Sequence, residues 1–441
     1  MQITHLQSAT QIIDLGGTRV LTDPWLTDGE YYGSWYHYPP FPPESLSGLD
    51  YDYIYVSHIH PDHLSEKTFK ALPKKVPVLI HRYAAGFLKR KIEMLGFEVI
   101  ECDHATPFAF ASGGSLTIYA ADNCNPELCA KFFGCAPMEK TFGSTQIDTL
   151  ALFEHQGLRV LNTNDCPFAL AETTIRAHGL DALEVDALLV GYGGAGPYPQ
   201  CFTFENEAER DKAVRAKERQ FLDLAVKYVD LLRPKSVIPF AGTYILGSRL
   251  AHLTPYRGVP SIEEALRYIA DHAEHTAIGV LMEQLDRFDV GALEHTAHIR
   301  EGGPSYDEYV REIEGAALAY DGDDWDDAEL EALLTAAHGR FRRKAEEIGY
   351  RGATDIVVET GKIRFVMGLD APPRLEGVDE ALAGSAQYVK LTVDHNLFHR
   401  LLRGPRFAHW NNAEIGSHLQ FERNPNVFER GLYHCLCFFH Q

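Results

Sequence analysis

The chain has 441 residues, 45% hydrophobic and 23% charged, an ordinary globular balance that is too long for a single core. Its formal charge of −21, from 41 Lys+Arg against 62 Asp+Glu, repels nucleic-acid phosphates and anionic lipids. No apolar run reaches the ~18–20 residues a bilayer helix needs, and the start, MQITHLQSATQIIDL, has neither the basic nor the apolar stretch of a signal peptide. The sequence therefore reads as soluble and cytoplasmic, with a small-molecule substrate and no nucleic-acid or membrane partner.

In chain order, residues 18–22 (TRVLT) and 51–56 (YDYIYV) are short runs of the kind that form buried strands. A helix is expected at 65–72, followed by strands at 75–80, 96–102 and 115–121. Residues 148–154 and 158–162 predict a hairpin around Gly157, and 186–190 a further apolar strand. An amphipathic helix covers 205–232 and stops before Pro234, with a strand at 235–240 after it. Many short strands alternating with helices predict an α/β fold, an αββα sandwich with two sheets inside and helices outside.

Beyond residue 248 the texture changes. Helices are expected at 261–273 and 325–348, a hairpin at 355–367 turning at Thr360-Gly361, and a mixed segment at 386–441 rich in histidine and aromatic residues. The expected division is a sandwich at 1–250 and a helical and α+β C-terminal extension at 251–441. The carboxylates Asp323, Asp324, Asp326, Asp327, Glu329 and Glu331 read as the solvated start of the helix at 325–348, because negative charge favours helix N-termini. Eight scattered cysteines include no CxxC pair, which argues against a four-cysteine zinc site, and no paired Cys/His motifs of a Rieske centre occur. They read as buried thiols; Cys124, Cys129 and Cys135 sit in an insertion after Asp122.

The strand at 51–56 runs directly into Ser57-His58-Ile59-His60-Pro61-Asp62-His63. Extended chain alternates its side chains, so His58 and His60 can face one metal. The turn that follows brings Asp62 and His63 round to a second. Asp165, in VLNTNDC, follows the strand at 158–162, where a carboxylate could bridge both metals. Asp122 ends the strand SLTIYAAD and is expected as the third ligand beside His58 and His60, with Asn123 and Asp148 competing for the place. Asp23 in LTDPW reads either as a carboxylate orienting a ligand histidine or as a plain turn residue.

An HxHxDH run after a strand, an upstream TDP and a later NxxD resemble the metallo-β-lactamase superfamily. Within it, LTDPW, YVSHIHPDHLS, VLNTNDC, GYGGAGPYP, PKSVIPFAGTY and LQFERNPNVF resemble, in order, segments of the domain that follows the Rieske domain in CMP-N-acetylneuraminate hydroxylases. The resemblance covers nearly the whole chain and implies a dinuclear metalloenzyme. Two departures stand out: no Rieske domain accompanies these segments, and where many superfamily members carry a histidine after the late strand, VIPFAG places Ala241. Tyr244, His252 and the C-terminal histidines are the substitutes available.

Two imidazoles with one carboxylate form the facial triad of non-haem iron oxygenases, and the same set serves catalytic zinc. Oxygen-rich donors favour iron or manganese, so two metal ions are expected, iron foremost. The reading is O2-dependent oxidation or hydroxylation of a small polar molecule, with electrons from a separate reductase or from the substrate itself. The alternative is a hydrolase of a phosphate ester, lactone or amide, in which two metals acidify a water. In both, Asp62 and Asp165 take the catalytic place.

Gly191-Tyr192-Gly193-Gly194-Ala195-Gly196-Pro197 follows a strand without the GK[ST] of a Walker loop. It is either a tight structural loop or a place where backbone amides meet an anionic group. Tyr192, Gly193, Gly194, Tyr244 and His418 are the substrate-binding candidates. The cluster His409-Trp410-Asn411-Asn412, with Glu414 and His418, would present Asn411, Glu414 and His418 on one face if helical, either to substrate or to a domain interface.

Overall fold

The structure is a computed structural model that describes residues 1–83, 85–120, 148–300, 302–376 and 387–440. Strand alternation builds its first layer. In the strand Val78–His81, Leu79 faces inward to meet Ile13, Val20 and Tyr55. Val78 and Ile80 face outward, under Phe69, Leu88 and Ile92 of the helices Glu66–Ala71 and Phe87–Met94. A strand buried on both faces can only lie in the middle of layers.

The first sheet runs Glu294–Thr296, Arg287–Asp289, Gln2–Gln7, Thr10–Asp14, Arg19–Thr22, Tyr53–Tyr55, Val78–His81, Val99–Cys102. The second runs Ile278–Gly279, Ser236–Phe240, Ala187–Gly191, Leu158–Asn162, Thr149–His155, Gly114–Ala120, Phe108–Ala109. Between them pack Phe153, Val160, Leu189 and Ile238 against the inner face of the first sheet. Outside the second sheet, Leu152, Leu161 and Leu188 meet Ile175, Val229 and Ile269. The αββα sandwich expected from the element pattern is the architecture found.

Local chemistry explains the elements. The hairpin Thr149–His155 to Leu158–Asn162 turns at Gln156 and Gly157, both with positive φ (50° and 82°), the turn whose twist matches antiparallel strands. The helix Glu207–Leu232 opens on Asn206, whose side chain accepts from the Glu209 amide, and closes on left-handed Arg233 before Pro234. Each sheet contains a parallel run beside antiparallel pairs, Arg19–Thr22, Tyr53–Tyr55 and Val78–His81 in the first and Leu158–Asn162, Ala187–Gly191 and Ser236–Phe240 in the second, and the C-terminal ends of parallel strands are where α/β proteins hold their ligands.

The sandwich draws strands from beyond the division expected at residue 250. After the helix Ile262–His272, Ile278–Gly279 pairs parallel with Ser236–Phe240, and Arg287–Asp289 pairs antiparallel with Gln2–Gln7. Only then does the chain build a five-stranded sheet, Arg374–Glu376, Arg364–Met367, Asp355–Glu359, Tyr388–Thr392, Gln420–Asn424. No described helix is long and apolar enough to cross a membrane, and the five described cysteines are buried.

The acidic block is mostly exposed, as expected for the solvated start of a helix, although the helix begins only at Leu330, after the 3-10 turn Asp327–Glu329. Three of its carboxylates also pair with arginines from elsewhere: Asp321 with Arg249, Asp323 with Arg400, and Glu329 with Arg403. Arg400 and Arg403 lie on the helix His395–Arg403, a source of neutralising charge that local sequence does not reveal.

The short helix Trp410–Ile415 is almost wholly internal. Its Glu414 is fully buried; one carboxyl oxygen accepts from Trp410 Nε1 at 2.9 Å, and the other has no hydrogen-bond partner among the described residues. Burial raises its pKa from 4.5 to about 8, against the smaller opposing pull of the Trp410 hydrogen bond. Folding therefore takes up a proton between these values. The contribution of Glu414 to stability is fully present below pH 4.5 and is lost as pH rises through about 8, by at most about 1.4 kcal/mol per pH unit. Glu414→Gln is expected to flatten this slope in urea unfolding measured from pH 5 to 8.5; an unchanged slope would show that Glu414 does not hold the proton.

Candidate metal centre

The site is assembled where the ends of two strands meet across the sandwich. The strand Tyr53–Tyr55 continues as Val56, whose amide bonds Leu79 O, and then runs out of strand partners. The next amide, Ser57 N, bonds the Asp23 carboxylate at 2.7 Å, and Ser57 Oγ donates to its other oxygen at 2.7 Å. Asp23, fully buried with φ +40°, also accepts from His63 Nδ1 at 2.8 Å. Between these anchors the backbone turns, with the amides of His63 and Leu64 both bonding His60 O, and Ser65 then caps the helix Glu66–Ala71.

From the second sheet, the strand Leu158–Asn162 delivers Asp165. Its loop is held by left-handed Asn164, whose Nδ2 donates to Tyr55 Oη at 3.0 Å and to Thr149 O. Tyr55 Oη also lies 2.7 Å from Thr149 Oγ1. These contacts fix the height of one ligand loop against the other.

His58, His60 and Asp165 form one group of donor atoms within 4.8 Å of each other; Asp62, His63 and Asp165 form a second. His58 Nε2 is 2.8 Å from His60 Nδ1 and 3.3 Å from Asp148 Oδ1, while His63 Nε2 lies 3.6 Å from Asp62 Oδ2 and 3.5 Å from Asp165 Oδ1. Burial opposes a charge on His63, but Asp165, Asp23 and Asp62 outweigh it and hold its proton affinity well above the ordinary histidine range. The same crowding of carboxylates attracts a cation. His63 Nδ1 faces Asp23, and His58 Nδ1 faces Ser57 Oγ at 2.9 Å, which leaves the Nε2 atoms turned inward as metal-ligating histidines require. The donor set fits two metal ions sharing Asp165.

Asp122 lies outside the described residues, as do Asn123, Cys124, Cys129 and Cys135. Asp148, named as its competitor, is buried against His58. Ala241 follows its strand with φ +62°, and neither donor group takes in a histidine from the C-terminal region. His252 is exposed and bonds Arg249 O. Tyr244 packs face to face on Trp35 with ring centroids 3.4 Å apart, and the Arg257 guanidinium lies over its ring; burial raises its proton affinity, with Arg257 opposing and Asp62 adding.

Other expected residues take structural places. A Cβ on Gly194 would fall 1.8 Å from the Phe221 ring, and one on Gly193 2.8 Å from Val259. Tyr192 is buried with Leu222 and Ala265, so the glycine-rich loop is tight because the helix Glu207–Leu232 presses on it. His418 spends both ring nitrogens, on Tyr320 Oη at 2.9 Å and Tyr31 O at 2.7 Å; it stands behind the centre.

Two contacts were not anticipated. Tyr31 Oη donates to Asp62 Oδ1, and Asn411 Nδ2 lies 3.1 Å from His60 Nε2. Asn411 comes from the helix Trp410–Ile415, so the unusual HWNN cluster did carry a signal. Tyr31 sits in DGEYYGSW, where residues 29, 31, 32 and 33 all have positive φ, and nothing in that string announces a ligand contact.

Three substitutions check this arrangement. Asp165→Ala removes the carboxylate common to both groups and is expected to lower the metal content by at least one ion per chain relative to wild type in elemental analysis. Asp23→Asn keeps the shape but loses the charge behind His63; metal affinity is expected to fall about 10–100-fold. Gly194→Ala overpacks the loop and should lower unfolding stability by about 1–3 kcal/mol while leaving metal content at the wild-type value.

Residues 2–123 match the family model described as "Beta-lactamase superfamily domain". The cytidine monophosphate-N-acetylneuraminic acid hydroxylase of Cricetulus griseus is 27% identical over 257 residues, 56% of this chain and 40% of that protein. That of Danio rerio is 25% identical over 255 residues, covering 55% and 38%. The chain thus spans about two fifths of the length of the curated relatives it matches. Solved structures with similarity include an isothiocyanate hydrolase from Delia radicum gut bacteria (TM-score 0.44, 13% identity, 66% of this chain and 99% of that one). Another is CmlA, a diiron β-hydroxylase from Streptomyces venezuelae (TM-score 0.39, 17% identity, 65% and 53%). Residues 2–123 are thus similar to the β-lactamase superfamily domain, and the chain is similar in sequence to part of the CMP-N-acetylneuraminate hydroxylases.

Proposed function

We propose that this chain is a dinuclear metal enzyme, with iron as the working metal, that oxidises or hydroxylates a small polar molecule with O2. The observation that carries this reading is Asp165, whose carboxylate has donor atoms within 4.8 Å of those of both the His58/His60 pair and the Asp62/His63 pair. A shared carboxylate with three imidazoles and further carboxylates suits ions that change valence. The similarity to hydroxylases supports the same reading.

Two iron ions held there would supply the reducing equivalents for O2 activation. The protein's own part is orientation and exclusion. Asp23 and Ser57 keep His63 and His58 turned so that Nε2 faces the ions. Asn411, 3.1 Å from His60 Nε2, would hold that ring in place while His60 helps hold an ion. Tyr31 donates to Asp62 and so limits how that carboxylate can swing. Trp35, Tyr31 and Tyr244 form an apolar wall on this side. Insertion of one oxygen atom into a C–H bond, with the other leaving as water, requires two electrons and two protons; a separate reductase or the substrate supplies the electrons.

The same His58/His60/carboxylate trio also serves zinc, which supports a second reading as a hydrolase of a phosphate ester, lactone or amide. Stopped-flow absorbance separates the two. Reduced iron-loaded protein mixed with oxygenated buffer is expected to react faster than free ferrous ion and to consume O2, more so with substrate. Absence of any transient and of O2 uptake, together with hydrolysis by zinc-loaded protein, would replace the oxygenase with the hydrolase.

A further inference from the structure

The C-terminal region carries a second convergence of ligand-type side chains, on elements that contribute no donor to the first. His395 and His399 are four residues apart on the helix His395–Arg403, a spacing that puts both rings on one face. Both point at one carboxylate: Asp327 Oδ1 is 2.6 Å from His395 Nε2 and 3.2 Å from His399 Nε2. The three donor atoms lie within 4.8 Å of one another. The rings are buried, whereas the Asp327 side chain is 49% exposed, so the cluster is walled by protein on the histidine side and reached from solvent through Asp327.

The protein alone leaves this cluster poorly satisfied. Two imidazoles compete for a single carboxylate oxygen. His399 is fully buried, and its Nδ1 has no hydrogen-bond partner among the described residues. His395, by contrast, is braced from behind by Thr360 Oγ1, 3.1 Å from its Nδ1, the kind of support that fixes a metal-ligating ring. The neighbouring cations do not bar a metal, because each is already matched: Arg400 by Asp323, and Arg403 by Glu329 while its guanidinium lies over Trp325. Trp325 in turn stacks parallel to His399.

The geometry points to a second, mononuclear site for a divalent transition metal at His395, His399 and Asp327, with solvent completing its coordination. Two imidazoles and a carboxylate without sulfur are donors that zinc and cobalt accept. Tetrahedral ligand atoms sit about 3.3 Å apart, so the His395–Asp327 contact opens slightly as the ion replaces the proton between them. Asp327 begins the half-exposed turn Asp327–Glu329 and is free to make that movement. The ion clamps the segment 318–329 onto the helix His395–Arg403. Tyr320 in that segment bonds His418, which bonds Tyr31 O, so the clamp stands behind the first centre as a structural support.

The test uses the full chain stripped of metal with a chelator and titrated with cobalt(II) chloride, with bound metal read by elemental analysis and visible absorption. Wild-type protein is expected to bind one more ion per chain than the His395→Gln/His399→Gln double variant. Asp327→Asn, an isosteric change at a half-exposed position that the fold tolerates, is expected to weaken that ion by about ten-fold or more. A His58→Ala/His60→Ala chain should keep it, which separates failure of this site from failure of the first. Equal uptake by wild type and all the C-terminal variants overturns the proposal. So does an additional ion that every one of those variants retains, which would be adventitious.

Discussion

One buried carboxylate organises the metal centre. Asp23 accepts from the Ser57 amide, the Ser57 hydroxyl and His63 Nδ1, and it has no exposure to water. An isolated carboxylate in such a place costs several kcal/mol, whereas hydrogen bonds to a charged group contribute about 1.5–3 kcal/mol each. Three of them make the charge tolerable only if Ser57 and His63 both stand where they do. The constraint therefore runs both ways: Asp23 positions the loop, and the loop supplies the donors that satisfy the buried Asp23 oxygens. Its left-handed φ, unusual for a residue with a side chain, is the local cost of turning the chain under the strand Tyr53–Tyr55.

A second constraint comes from the far end of the chain. Tyr31 and Tyr32 both have left-handed backbone, each at about 1–2 kcal/mol. The C-terminal region holds that conformation in place. His418 binds Tyr31 O, the His409 amide binds Tyr32 Oη, and Gly33 lies against the backbone of Ala317 and Leu318, where a Cβ would be 3.1–3.2 Å from their atoms. The strained turn aims Tyr31 Oη at Asp62. Residues 387–440 are thus part of the centre's wall, through Asn411, and part of its support, through His418.

How much of this was legible in the sequence follows the range of each interaction. The HxHxDH run and its strand were readable because their spacing is local: six residues carry four donors. The hairpin at Gly157 and the long helix to Leu232 were readable for the same reason, since turn and cap residues sit beside the elements they end. Asp165 was placed by its position after a strand. Long-range partners left no such trace. Tyr31 meets Asp62 across 31 residues, Asn411 meets His60 across 351, and neither pairing has a periodicity to betray it. The solvated start of the helix from Leu330 was legible in the acidic block, but its counter-charges Arg249, Arg400 and Arg403, which come from elsewhere in the chain, were not. The glycine-rich loop had two readings in sequence; Phe221 and Val259, packed where side chains on Gly194 and Gly193 would sit, explain its composition by packing.

The two ligand loops belong to different sheets, and that separation has a thermodynamic consequence. His58, His60, Asp62 and His63 follow a strand of the first sheet, whereas Asp165 follows a strand of the second. Protein contacts alone already join them: Tyr55, Thr149 and Asn164 bond across the interface. What those contacts leave uncompensated is charge. Asp62, Asp165 and Asp23 all act on His63, and in a low-dielectric site like charges at this spacing repel strongly. A cation bound between Asp165 and the histidine loop converts that repulsion into attraction and ties the two sheets at the point where they would otherwise be pushed apart. Metal binding and closure of the sandwich edge are then one equilibrium. The neutral contacts set where the two loops stand, and the ions determine how firmly they stay there.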